Sequence, residues 1–156
     1  MKPILLLCCL DINKQTLQVI KRIISIDYGS KKCGIAASDP LRLIATGLET
    51  VPTWQLLDWL KDYLSREPVG DLVIGESFHK DGTPNKINAQ VVGFERNFAK
   101  LYPEIKLHRQ DEFYTSKRAM QAMIEAGVPK MKRRQKERVD KIAATIILQD
   151  FMESLR

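Results

Sequence analysis

The sequence predicts an α/β domain with a five-stranded mixed sheet flanked by helices. Three short β-branched runs come first, and amphipathic and strand-like patterns then alternate to the end of the chain. Arg22-Ile-Ile-Ser-Ile-Asp27 closes on Tyr28-Gly29-Ser30, and Cys33-Gly-Ile-Ala-Ala-Ser38 resumes after Lys31 and Lys32, which reads as strand, turn, strand. A third strand is expected over residues 43–51, ended by Pro52. Thr53 is expected to cap a helix up to Ser65 with Trp54, Leu57, Leu60 and Leu64 on one face, so Trp54 and Trp59 read as packing groups.

Asp71-Leu-Val-Ile-Gly75 is a buried fourth strand feeding Glu76 and a polar loop. Ile87, Val91, Phe94, Phe98 and Leu101 form the apolar stripe of a second helix stopped by Pro103. Residues 104–110 alternate as a fifth strand. Ser116 is expected to cap a helix with Ala119, Met120, Met123 and Ile124 inward, ending at Gly127 and Pro129. A basic stretch then leads to a last helix over residues 138–155. The connections of the second half supply parallel strand pairs.

A chain of 156 residues with 44% hydrophobic and 28% charged residues can bury a core within one domain. Lys and Arg exceed Asp and Glu by 25 to 19, a net charge of +6 that favours a polyanionic partner. Cys8, Cys9 and Cys33 form neither a metal-ligand spacing nor an even disulfide set, so reduced thiols and a cytoplasmic location are expected. The apolar run at residues 3–10 lacks a signal-peptide cleavage site and falls well short of the roughly 18 residues of a membrane span. Residues 1–21 are expected to be a disordered or misannotated extension, with the domain in 22–156 and no membrane association.

Acids stand at three expected strand ends: Asp27, Glu76, and the pair Asp111 and Glu112. Strand ends of open α/β sheets are where ligands bind. Asp140 adds a fourth position, at helical spacing with Ala143, Ala144, Ile147, Leu148 and Phe151, the face that packs on the sheet. A carboxylate on such a face is costly unless a cation or donor meets it. Converging acids suit a hard divalent cation, Mg²⁺ or Mn²⁺, and such ions can activate water against a phosphodiester. Singly, Asp27 is also explained as a turn residue, Asp140 as a helix-dipole partner and Glu76 as an exposed loop acid.

Ile26-Asp27-Tyr28-Gly29-Ser30-Lys31-Lys32-Cys33-Gly34-Ile35-Ala36 resembles the DxGxKxxGxA opening of the YqgF family, described as pre-16S rRNA nucleases and Holliday-junction-resolvase-like proteins. Asp111-Glu112-Phe113-Tyr114-Thr115-Ser116 resembles that family's DERxTS segment, and Val139-Asp140-Lys141-Ile142-Ala143-Ala144 its closing helix. The resemblance implies a ribonuclease H-like fold, divalent-metal endonuclease activity, and catalytic acids at Asp27, Asp111 or Glu112, and Asp140. Phe113 departs from the family's usual Arg, a loss that Arg109 or Lys117 could offset. Glu76 stands where the family usually reads Leu, adding an acid that related resolvases use as a metal ligand.

Lys132, Arg133, Arg134 and Lys136 precede Asp140, and Lys31 and Lys32 follow Asp27; all are expected to contact phosphates. His79 and His108 lack ligand spacing and read as loop and strand-surface groups, and Ser30, Ser38 and Ser116 have no nearby His to activate them. The expected substrate is precursor rRNA or branched DNA, cleaved by a monomer or homodimer, with 5′-end processing of precursor 16S rRNA favoured over junction resolution. Asp27-x-Gly29 also resembles the first phosphate loop of actin-like ATPases, which require a second lobe that this length does not provide. A basic RNA-binding module without catalysis is the non-enzyme alternative.

Overall fold

The computed structural model describes residues 20–76, 87–111 and 115–156. Strands β1 (Arg22–Tyr28), β2 (Lys32–Ser38) and β3 (Ala45–Pro52) form an antiparallel meander, and β4 (Val69–Glu76) and β5 (Lys106–Asp111) add in parallel to its other side. The sheet order is β3-β2-β1-β4-β5, which puts the C-terminal ends of β1, β4 and β5 side by side. Helices α1 (Leu56–Arg66), α2 (Asn88–Leu101), α3 (Thr115–Glu125), the short α4 (Lys130–Arg133) and α5 (Lys136–Ser154) complete the element order.

Side-chain alternation divides β1 between two cores. Ile24 and Ile26 join Ile35, Leu72 and Ile74 against Leu56 and Leu60 of α1 and Val91, Phe94 and Phe98 of α2. Ile23 joins Ala36 and Val73 on the opposite face, beneath Ala144, Ile147, Leu148 and Phe151 of α5. The small residues of β2 let α5 approach, and the buried Ser25 hydroxyl donates to the Ala144 carbonyl at 2.6 Å. Helix α3 lies on α5 through Ala119, Ala143 and Ile146 and through the two-pronged ion pair of Arg118 with Asp150, at 2.6 and 3.1 Å.

Strand β3 carries a bulge, since Ile35 pairs with Glu49 but Ala36 pairs with Gly47. Leu48 and Glu49 therefore both turn towards α1, Leu48 packing on the core and Glu49 accepting from the Trp59 indole N–H. Thr50, beyond the bulge, donates its hydroxyl proton to the Glu137 carbonyl at 2.8 Å and fastens the edge strand to the first turn of α5.

Several sequence expectations shift by a residue or two. Strand β3 starts at Ala45 rather than 43, β5 runs over Lys106–Asp111 rather than 104–110, and α5 opens at Lys136 rather than Arg138. Ser116 lies inside α3, which opens on Thr115, and Ile124 is exposed rather than inward. Thr53 does not cap α1: it begins a 3-10 turn, Thr53–Gln55, and donates its hydroxyl proton to the Gly29 carbonyl at 2.7 Å. Trp54 is not a packing group, being 76% exposed, whereas Trp59 is half-buried and stacked on Tyr63. His108, on β5, is half-buried against Phe151 with Nε2 2.8 Å from Asp71, which also accepts from Arg42 at 2.7 Å. No helix among the described residues is long and apolar enough to cross a membrane.

The β2–β3 connection turns on Asp39, which accepts main-chain N–H groups from Ile44 at 2.7 Å, Leu43 at 2.6 Å and Leu41 at 3.1 Å, while Arg42 adopts a left-handed φ of 58°. These donors, Ile44 foremost, hold the Asp39 carboxyl below the usual aspartate value despite partial desolvation. A depressed folded-state value contributes stability above the ordinary aspartate range, about 3.9, and loses it as pH falls through the lower folded value. We expect Asp39→Ala to be less stable than wild type in urea unfolding at pH 7, with the difference shrinking below about pH 4. A difference that grows on acidification would contradict this account.

Candidate active site

Asp27 is the sixth residue of β1 and shares a sheet face with Ile23 and Ser25, the face covered by α5. Its partner in the antiparallel register with β2 is Gly34. A Cβ at position 34 would lie 2.1 Å from the Asp140 carbonyl oxygen and 2.3 Å from its carbonyl carbon, so only glycine fits where α5 crosses β2. The helix backbone thus rests on the sheet directly beside Asp27, at the turn of α5 that carries Asp140. Both carboxylates act on the Cys33 thiol, which is buried in the core of the opposite face: burial pushes it upward, hydrogen bonds with Thr53 and Gly29 oppose that, and the charges of Asp27 and Asp140 add to the rise.

Asp140 is 9% exposed, and its Oδ2 is buried with no hydrogen-bond partner among the described residues. Burial raises its pKa, opposed by the cations Lys136 and Lys32 and reinforced by Glu137. An orphaned oxygen on a buried carboxylate is a group awaiting a cation or a donor. Lys32 is itself held by an ion pair with Glu137, so one exposed bridge joins the start of β2 to the first turn of α5. Its worth to stability is small, but it keeps a cation at the edge of the acid pair.

The remaining sequence candidates distribute around this pair. Glu76 and Asp111 are in register at the ends of β4 and β5, and Ile74 on β4 pairs with Ile26, one residue before Asp27. The side chains of Glu76 and Asp111, and the whole of Glu112 and Phe113, lie outside the described residues, as does His79. Among the described residues, no three His, Cys, Asp or Glu side chains gather as a ready metal-ligand set; Asp27 and Asp140 are the described part of the acid site. Arg109 points to α2, where it makes a bidentate ion pair with Glu95 at 2.9 and 2.7 Å and reaches Asn88 at 3.3 Å. Lys117 is exposed on α3.

Lys132 and Arg134 are exposed, and Arg133 is half-buried, its Nε without a hydrogen-bond partner among the described residues. Because α4 runs almost directly into α5, these cations and Lys136 lie just ahead of Asp140. An open cleft of about 340 Å³, lined by Glu49, Thr50, Gln135, Glu137, Arg138 and Lys141, continues the surface between β3 and α5. The recess on the other sheet face, between Tyr28, Ile74, Asn88 and Arg109, holds about 10 Å³, no more than a water. Among the described residues this side of the sheet thus offers an open strip rather than a closed pocket.

Sequence reasoning missed the part played by Gly34, Thr50 and Glu137. The alternation Gly34, Ala36, Ser38 was the available signal, since small residues every second position mark a sheet face on which a helix lies close.

A family model described as "RuvX: Holliday junction resolvase" matches residues 21–154. A protein of Flavobacterium johnsoniae named "Putative pre-16S rRNA nuclease" is 44% identical over 135 residues, covering 86% of this chain and 98% of the relative. One of the same name from Porphyromonas gingivalis is 43% identical over 133 residues, covering 85% and 96%. Among solved structures, the Fowlpox virus resolvase in complex with Holliday junction DNA superposes with a TM-score of 0.53 at 15% identity, over 86% of this chain and 98% of that one. Thermus thermophilus RuvC with a Holliday junction gives 0.52 at 17% identity, over 86% and 96%. The sheet order and the helix across its face are those of the ribonuclease H-like fold.

The approach at Gly34 is backbone on backbone, so no side chain can swing away to admit a methyl group. Gly34→Ala is expected to cost about 3 kcal/mol or more, at the upper end of overpacking penalties, measured by denaturant unfolding. A cost below about 1 kcal/mol would mean that α5 does not rest on β2 as described.

Proposed function

Because the chain belongs to the RuvX (YqgF) family of Holliday-junction-resolvase-like proteins, we propose that it is a divalent-metal-dependent endonuclease that hydrolyses phosphodiesters in structured nucleic acid. The observation that carries this reading is the buried carboxylate oxygen of Asp140, without a partner among the described residues, on a helix whose backbone rests on Gly34, the register partner of Asp27. Two carboxylates in one half-buried place repel unless a cation joins them, and hard oxygen ligands suit Mg²⁺ or Mn²⁺. The residues that would hold the ion are Asp27 and Asp140, joined by Asp111 or Glu112 and by Glu76. When bound, such an ion supplies charge for the transferring phosphoryl group and a water of lowered pKa.

The protein's own part is to bind and aim the strand. The cations we assign to the strand are Lys31, Lys32, Lys117, Lys132, Arg133, Arg134 and Lys136, of which Lys136 and Lys32 lie near enough to lower the Asp140 pKa. They neutralise phosphates on either side of the scissile bond and carry little sequence preference. Arg109, occupied by Glu95, contributes only if substrate displaces that carboxylate. We assign the domain to residues 22–156, in keeping with the span of the family match, and place its action in the cytoplasm, where the free Cys33 stays reduced.

The substrate favoured is the 5′ end of precursor 16S rRNA, in line with the names of the relatives at 43% and 44% identity. Holliday-junction cleavage is the second reading, favoured by the family description and by the two resolvase structures that share the fold. Purified protein offered both substrates with Mg²⁺ or Mn²⁺ separates them. Asp27→Asn, nearly isosteric, is expected to abolish cleavage of whichever substrate is cut while leaving unfolding nearly unchanged, and chelation of the metal should do the same. Equal activity in the variant would remove the acid-cluster mechanism.

Neutralising Lys132, Arg133 and Arg134 together is expected to raise KM and leave kcat largely intact. Each phosphate that no longer meets a cation should reduce the magnitude of the log-log salt slope by roughly 0.7 to 0.9. A collapse of kcat with an unchanged slope would instead place this segment in the chemical step.

A further inference from the structure

Trp54 is 76% exposed, and its indole has no hydrogen bond or ring contact among the described residues. Single exposed apolar residues are ordinary on protein surfaces, so exposure alone says little. Three further observations set Trp54 apart. It is rigidly mounted, because the 3-10 turn that carries it is tied to the β1–β2 turn by the Thr53 N–H to the Lys31 carbonyl at 3.0 Å and the Thr53 hydroxyl to the Gly29 carbonyl at 2.7 Å. It is placed at the right end of the sheet, since that β1–β2 turn immediately follows Asp27 and Tyr28. It has a cation in the adjoining turn, because Lys31, whose carbonyl takes the Thr53 N–H, is exposed.

We infer that Trp54 is a stacking platform for an unpaired nucleobase of the bound strand, one to a few nucleotides from the scissile phosphate. The identity of the polymer rests on the nuclease reading above; the stacking itself does not. An indole face accepts any base, and the ammonium of Lys31 beside it can meet a flanking phosphate, which is the general construction of single-strand binding surfaces. A fully paired helix keeps its bases in its own stack and offers the indole nothing comparable, so Trp54 directs the enzyme to sites where pairing is broken. Branch points and the junctions between helices and single-stranded ends both provide such sites.

The chain has two tryptophans, so Trp59→Phe leaves Trp54 as the sole indole reporter. In an Asp27→Asn, Trp59→Phe background, folding checked by circular dichroism, the protein is titrated with a single-stranded dodecanucleotide and with the matching blunt duplex. Saturable quenching of Trp54 emission is expected with the single strand and not with the duplex. Trp54→Ala should weaken single-strand binding on the order of 10-fold, the scale of one base–aromatic stack. It should leave duplex binding within about twofold, and Trp54→Phe should restore most of the affinity.

Absence of quenching, or equal weakening for single strand and duplex, would overturn the inference. The two readings fail separately. Unchanged single-strand binding in Trp54→Ala, with cleavage still abolished by Asp27→Asn, overturns stacking and leaves the nuclease intact. Strand-selective quenching in a protein that cuts neither substrate upholds stacking and removes the nuclease.

Discussion

The crossing of α5 over β2 at Gly34 is the interaction on which the rest of the molecule depends. It brings helix backbone within van der Waals reach of sheet backbone, a distance that only the missing side chain allows. From that point the helix runs along the sheet and buries Ala144, Ile147, Leu148 and Phe151 over Ile23, Ala36 and Val73. The Ser25 hydroxyl marks the next point of attachment, at the Ala144 carbonyl. The position of Asp140 follows from this close approach, and no dedicated loop is needed to deliver it to Asp27.

The surroundings of the crossing are arranged to keep it in place. Thr50 and Lys32 tie the first turn of α5 to β3 and β2, and Arg118 with Asp150 braces its far half against α3. The bulge at Leu48 and Glu49 is part of the same arrangement, because it turns Thr50 onto the face where the helix lies. Each bond alone is modest, with exposed ion pairs contributing about 0–1 kcal/mol. Together they fix the direction of a helix whose apolar stripe provides most of the attachment.

Much of this is legible in the sequence. The first four strands and the inward face of α5 follow from periodicity, the parallel pairs from the connections between strands, and Asp140 stands out as an acid on an apolar stripe. The failures have a common cause. Local patterns place Thr53, Ser116 and Trp54 at helix starts, but tertiary hydrogen bonds across Gly29 and Lys31 claim Thr53 and turn Trp54 out of the helix face. Arg109 likewise reads as a cation available to phosphate, because nothing in the chain near it reveals Glu95 across the gap to α2. Local propensity cannot register a partner that only folding brings near.

The carboxylate of Asp140 also sets a conflict between persistence of the fold and persistence of the function. It sits among side chains that would be better accompanied by a neutral group, and its oxygen, without a partner among the described residues, is a standing cost to the native state. Drift towards greater stability therefore favours losing this acid, and only selection for what the acid does can retain it. Copies of such a gene released from that selection would be expected to lose Asp140 early and keep Gly34, whose replacement the packing itself forbids. The two positions, meeting through one carbonyl, thus answer to different demands: one of folding and, on the nuclease reading, one of use.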